Sequence, residues 1–270
     1  MEALNVKHDF GAWDVTLGRY AVTLGNQGGW LYNSSWGFDG AQLAADFGKI
    51  NVAVGYGQFN SGRNTGWVGG EDPWTALPGK DNKETPIDNV DVFYAKADAD
   101  FDAFDIYAAY YTNQEQNNWN TDFDIWGVGL NVPISQFRVF GEYWQNSTAV
   151  DNVEDTAWNV GIGYGKKDLS KPGTWQLDVA YNDVGAGVYL GGTGLQTDVL
   201  NTLAYSGKTL GTTARLDEVK FWNAIAEVTL MKNMYLHAEY AFAVDGGDVI
   251  VANGEEDPDD SWTVSLNYVF

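Results

Sequence analysis

The chain has no cysteine, so it can build neither a disulfide framework nor a thiolate metal site. Basic residues are also scarce: 15 Lys+Arg stand against 37 Asp+Glu, for a formal net charge of −22 at pH 7. Phosphate recognition needs a basic face, so nucleic acid is excluded as a partner, and the same sign disfavours docking on anionic membrane surfaces. No stretch approaches the ~18–20 apolar residues of a membrane-spanning helix. Met1, Glu2, Ala3 and Leu4 show neither the basic start nor the apolar run of a secretion signal. Proline is sparse, with 6 residues, and no helical repeat or low-complexity domain is evident.

What the chain does have is glycine and aromatics: Gly 32, Trp 12, Tyr 15 and Phe 13. It is 15% aromatic with a mean hydropathy of only −0.29. A chain of that hydropathy can still cross a bilayer if alternate residues of strands face lipid. The final ten residues carry this signal most clearly. Trp262, Val264, Leu266, Tyr268 and Phe270 occupy every second position, with Ser261, Thr263, Ser265 and Asn267 between them. A period of two is a strand with one apolar and one polar face. This strand resembles the terminal signal by which outer-membrane assembly machinery recognises its clients.

The same period recurs along the chain. Ile50, Val52, Val54 and Tyr56 alternate with Asn51, Ala53, Gly55 and Gly57, small residues that are expected to leave room inside a pore. Phe104, Ile106, Ala108 and Tyr110 alternate with Asp105, Tyr107, Ala109 and Tyr111; Trp158, Val160, Ile162 and Tyr164 alternate with Ala157, Asn159, Gly161 and Gly163. Short turns and long polar segments follow one another, as in outer-membrane barrels. The pattern predicts an all-β fold: a transmembrane antiparallel up-and-down β-barrel of about 12 strands, an even number between 12 and 16. Residues 1–12 are expected to be a lead-in, either a stalk remnant or a short strand, and residues 13–270 the barrel. The barrel reading requires a mature or truncated chain.

The run from Phe38 through Gly57 (FDGAQLAADFGKINVAVGYG) resembles the barrel portion of OmpM-type porins of diderm Firmicutes, in which an S-layer-homology domain and a coiled-coil stalk precede the barrel. Leu17-Gly18-Arg19 and Tyr268-Val269-Phe270 look like elements shared by porins generally. Neither the tether domain nor the stalk is present, so any peptidoglycan attachment that the resemblance implies lies outside this sequence. The resemblance further implies an outer-membrane homotrimer that passes small hydrophilic solutes.

By alternation the lumen is expected to receive Asp91, Asp105, Glu142, Asp178, Glu227, His237 and Glu239, together with Arg138 and, through a bulge at Gly18-Arg19, Arg19. An acidic excess in a narrow aqueous path concentrates cations, so a mild cation preference is expected. The long segment 60–89 is either an exterior flap or a candidate constriction loop folded into the barrel, with Trp67, Trp74 and Leu77 as apolar anchors and Glu71 and Asp72 beside them. Residues 184–217 read either as a loop with a short helix or as two further strands. No catalytic constellation stands out. His237 and Glu239 could pair in principle, but no nucleophile is partnered with them, so a polar lumen pair is the plainer reading. One such His with scattered carboxylates makes no metal site, and the acidic run Glu255 to Asp260 lacks the ligand spacing of a calcium loop. No cofactor is expected. The expected partners are outer-membrane lipid and lipopolysaccharide, the barrel-assembly machinery, and further copies of the chain. Alternative readings are a surface carbohydrate-binding β protein, with tryptophans stacking sugars, and a barrel serving mainly as a tether.

Overall fold

The computed structural model describes residues 4–24, 32–33, 38–59, 91–113, 124–147, 154–189, 195, 197–200, 203, 215–247, 249–251 and 259–269. The strands are β1 (Leu4–Asp9), β2 (Trp13–Tyr20), β3 (Thr23–Leu24), β4 (Tyr32–Asn33), β5 (Phe38–Asp46), β6 (Ile50–Phe59), β7 (Asp91–Phe101), β8 (Phe104–Asn113) and β9 (Asp124–Ile134). They continue as β10 (Phe137–Asn146), β11 (Thr156–Gly165), β12 (Trp175–Gly185), β13 (Arg215–Leu216), β14 (Glu218–Met231), β15 (Met234–Gly246), β16 (Val249–Val251) and β17 (Ser261–Tyr268). Thirteen form one sheet in the order β1-β2-β5-β6-β7-β8-β9-β10-β11-β12-β14-β15-β17, while β3 pairs with β4 and β13 with β16 as separate ribbons. Each neighbour in the large sheet runs antiparallel to the next, an up-and-down meander. The twelve strands read from the alternation are all present, and Leu4–Asp9 adds a thirteenth by pairing with Asp14–Arg19, so the described sheet has an odd number of strands where an even one was expected.

One end of the sheet carries the shorter connections, the longest being residues 166–174. Residues 102–103, 135–136 and 232–233 are tight turns, with Ser135 (φ 60) and Asn233 (φ 63) in the left-handed region that such reversals demand. At the turn between β5 and β6, Asp46 Oδ1 accepts the Gly48 N–H at 2.6 Å. The long segments, including 60–90 and 186–217, all leave from the opposite end.

The outward face is apolar and aromatic. Phe104 and Tyr110, Phe137 and Tyr143, Trp158 and Tyr164, Trp175 and Tyr181, and Trp262 and Tyr268 each sit six residues apart on one face of one strand. Six residues of strand span ~20 Å, so these pairs draw two aromatic girdles around an apolar band. Rings touch around each girdle: Phe137, Tyr164 and Trp175 have centroids 4.8 and 5.4 Å apart at the short-turn end. Trp158, Tyr181 and Trp222 have centroids 5.4 and 5.3 Å apart at the other. Charged outward residues such as Arg19, Asp39, Asp183 and Lys220 lie beyond this second girdle, toward the long segments.

The inward face divides into two zones. Toward the long-segment end, Phe38, Tyr94, Tyr111, Ile125, Trp144 and Phe221 are fully buried in one continuous apolar cluster. The small residues expected to leave space do not do so here: a Cβ at Gly55 would strike the Tyr94 ring, and one at Gly57 the Phe38 ring. The glycines are seats for aromatic side chains of neighbouring strands. Toward the short-turn end the inward side chains are polar and charged.

Trp144 shows how tightly the upper zone is filled, since a Cβ at Gly127 would lie within its indole. Trp144→Ala should cost about 3–5 kcal/mol through the cavity it leaves. Gly127→Val should destabilise by overpacking the same contact, by about 1–3 kcal/mol. Denaturant midpoints of the refolded protein in micelles check both, and an unchanged midpoint for both variants would contradict this packing.

Candidate functional site

Strand parity decides which charges reach the interior. On β10 the buried positions are Phe140, Glu142, Trp144 and Asn146, with Arg138 in the same row and Phe137, Val139 and Tyr143 facing out. By the same parity Asp105, Asp178, Glu227, His237 and Glu239 all point inward. Two residues expected in the lumen are not there. Asp91 shares the outward row of Phe93, Ala95 and Ala97, where the Tyr56 hydroxyl donates to it at 2.8 Å and Gln58 Nε2 at 2.7 Å. The alternation of β7 is ambiguous because Val92 and Tyr94 are apolar yet fill the upper interior; Lys96 and Asp98 on their parity take the wet zone below. Arg19 is also outward, paired with Asp39 at 2.6 Å. The bulge that would have turned it inward is absent: pairing of β2 with β5 is unbroken from Trp13 to Tyr20, with Gly18 opposite Gly40.

The most connected part of the interior is a chain of polar contacts across β12, β14 and β15. Lys167, on the turn after β11, places Nζ 2.8 Å from Glu227 Oε2 and 3.7 Å from the centre of the Tyr235 ring. Gln176 Nε2 donates to the same Glu227 oxygen at 2.7 Å. Glu227 Oε1 is 3.2 Å from His237 Nδ1, and His237 Nε2 is 3.3 Å from Glu239 Oε2. The other oxygen of Glu239 accepts from the Thr197 hydroxyl at 2.7 Å and from the Thr197 backbone N–H at 3.2 Å. His237 and Glu239 are both buried.

Thr197 belongs to the connection between β12 and β14. Its described residues fold inward: Ala186, Val188, Tyr189, Leu195, Val199, Leu200 and Leu203 all join the upper apolar cluster. Asp198–Leu200 forms a single 3-10 turn. Asn146, on the inner face of β10, donates to Gly187 O at 2.7 Å. Wall side chains therefore hold this segment in at least two places. Sequence reasoning offered segment 60–89 either for such infolding or as an exterior flap; that segment, with Trp67, Glu71, Asp72 and Trp74, lies outside the described residues, as does Phe270. The signal it overlooked is the spacing of Leu195, Val199, Leu200 and Leu203 around a threonine, an apolar set with no strand period.

Below this plug a cavity of about 970 Å³ opens toward the short-turn end, lined by Asp100, Asp105, Asn131, Arg138, Lys167 and Gln176 among others. Arg138 is ion-paired with Asp178 and lies over the Phe140 ring at 5.8 Å. Across the cavity Asn131 donates to Asp105 at 2.8 Å. At the rim Asp168 accepts from Ser170 N at 2.9 Å and Ser170 Oγ at 2.6 Å, which holds its carboxyl below the usual range. Basic groups thus gather on the β10–β12 side and carboxylates on the β7–β8 side. Glu142 is more enclosed, accepting from Trp144 Nε1 at 3.0 Å and Asn159 Nδ2 at 3.2 Å. No group of three or more His, Asp or Glu side chains suited to a metal ion occurs among the described residues.

No family model and no curated protein matches the chain. Solved structures do. OmpT of Vibrio cholerae is similar over 98% of this chain and 79% of its own, with 13% identity and a TM-score of 0.55. OprB of Pseudomonas putida covers 96% and is itself covered to 70%, at 11% identity and a TM-score of 0.59. OmpF of Salmonella typhi, solved with daunomycin, covers 95% and is covered to 74%, at 14% identity and a TM-score of 0.53. Identities this low speak for the fold alone, and that fold is the antiparallel β-barrel of bacterial outer-membrane porins.

Proposed function

We propose that this chain is an outer-membrane porin, a passive path for small hydrophilic solutes and ions with a mild preference for cations. The observation that carries the reading is the division of the wall strands into an apolar outward face, with aromatics at both levels on β8, β10, β11, β12 and β17, and an inward face that is polar toward the short turns. A sheet of this kind has lipid on one side and water on the other. Inward carboxylates at Asp14, Asp98, Asp105, Glu142, Asp178, Glu227 and Glu239 outnumber Lys7, Lys96, Arg138 and Lys167, which favours cation entry and weakens with salt. Porin neighbours support a homotrimer. Outer-membrane lipid, lipopolysaccharide and the assembly machinery are its expected surroundings, and OmpM-type porins are the family the sequence resembles. The barrel enzyme is disfavoured because both ring nitrogens of His237 meet carboxylates, so neither faces a hydroxyl as a general base would.

The aperture is set by the infolded connection between β12 and β14, clasped to the wall through Thr197 and Glu239. Single-channel recording in a planar bilayer under a KCl gradient tests the whole reading. Stepwise conductance with a cation-favouring reversal potential is expected, and anion preference would refute the selectivity. Asp98→Asn with Asp105→Asn should move the reversal potential toward zero at low salt and leave insertion unchanged. Thr197→Val removes the hydroxyl from the clasp and should raise unit conductance or its open-state noise. If unit conductance and noise both stay at the parent value, the clasp does not set the aperture.

A further inference from the structure

We infer that His237 is a proton-operated latch on the infolded connection between β12 and β14: protonated it holds Thr197 against the wall, and neutral it releases that segment and widens the path. This rests on the channel reading above, in which that connection sets the aperture. The ring lies between two carboxylates, with Nδ1 3.2 Å from Glu227 Oε1 and Nε2 3.3 Å from Glu239 Oε2. An ionised carboxylate only accepts, so each of these contacts needs a hydrogen on the ring. An imidazolium carries one on both nitrogens and bridges the pair, whereas a neutral imidazole carries one alone. The protonated ring is the form that this geometry fits.

Charge leads to the same form. Lys167 on the turn after β11, Glu227 on β14 and Glu239 on β15 bring one positive and two negative charges to the ring. A protonated His237 makes this set neutral; a neutral one leaves a negative charge in excess beside the buried Glu239. The described neighbours on the other elements do not offset it. From β12 come Gln176 and Asp178, the latter already ion-paired with Arg138 of β10. Tyr235 of β15 lies under Lys167, and β17 sets Ser265 opposite His237, with Thr263 and Asn267 to either side. The infolded connection brings the uncharged Thr197. When the ring gives a proton to water, a lone pair faces a carboxylate oxygen at hydrogen-bonding distance, and the rigid ring cannot keep both contacts. Glu227 retains Lys167 and Gln176 in either state, so the change falls on the Glu239 side. A buried carboxylate so placed is stabilised by turning toward water. The hydroxyl and backbone N–H of Thr197, held on its other oxygen at 2.7 and 3.2 Å, then lose their anchor.

The chain has 2 histidines, so in a His8→Gln background the ring nitrogen NMR signals report on His237 alone. In micelles they are followed from pH ~6 to ~10, where free carboxylates stay ionised and a free imidazole titrates, together with the backbone amide of Thr197. Single-channel recording covers the same range. The expected result is that the ring passes from doubly to singly protonated, the Thr197 amide signal shifts in step, and unit conductance or open-state noise rises with it. Glu239→Gln presents an amide that accepts from Thr197 and donates to the neutral ring, so it should stay quiet across the range. His237→Gln removes the positive charge at every pH, and should be as noisy at pH ~6 as the parent is at ~10. A ring that keeps one protonation state throughout would overturn the latch. So would a Thr197 amide and a conductance that ignore the ring's titration, or a pH response that survives in Glu239→Gln. Silence in the bilayer at every pH, with the Thr197 amide still following the ring, would refute the channel alone and support the latch.

Discussion

The constraint on which everything else depends is that a backbone crossing hydrocarbon must satisfy its own hydrogen bonds. Helices do this within one segment, but the chain has no apolar run long enough for that. Strands do it only by pairing, so each must find neighbours, and its side chains must serve two solvents at once. The period of two in β6, β8, β11 and β17 is the direct consequence. So is the separation of connections, since a short turn suffices on one side while the long polar segments stay together on the other. The six-residue interval between outward aromatics follows from the thickness of the apolar band, measured along a strand.

The interior obeys a different rule. A wall of thirteen strands leaves more space on its inner face than its own side chains fill when many of them are Gly, Ala, Ser or Asn. The upper half is nevertheless dense, because aromatic rings of one strand lie over glycines of the next and because the connection between β12 and β14 brings Tyr189, Leu195, Val199 and Leu200 into the gap. The lower half lacks such an insert and stays wet. The described part of this segment belongs to the interior by packing and is held to the wall by hydrogen bonds at Thr197 and Gly187.

Much of this was legible in the sequence wherever periodicity was unambiguous. Twelve wall strands and the short-turn and long-segment sides followed from alternation alone. Asp91 and Arg19 failed for an instructive reason. Near the long-segment end the interior is apolar, so hydrophobicity no longer tells the inward face from the outward one, and Val92, Tyr94 and Tyr20 point inward while a charge sits outside at the headgroup level. The same loss of contrast hid the infolded segment, whose apolar residues follow no strand period. Leu4–Asp9 was ambiguous because a six-residue strand with His8 and Asp9 at its end carries too few alternations to distinguish it from a lead-in.

The run from Lys167 through Glu227, His237 and Glu239 to Thr197 is costly by itself, since charges held away from water lose solvation that pairing only partly restores. Its members cannot be treated singly. Taking away one partner leaves the next charge buried and uncompensated, so a change at the Lys167 rim is felt at Glu239, two strands away. Such a chain adds less to stability than apolar packing of the same volume would, yet it fixes geometry more narrowly, because each carboxylate has its acceptor positions already assigned. What it fixes here is the placement of Thr197. The short-turn rim and the infolded residues around Thr197 are in this way linked through one run of charges.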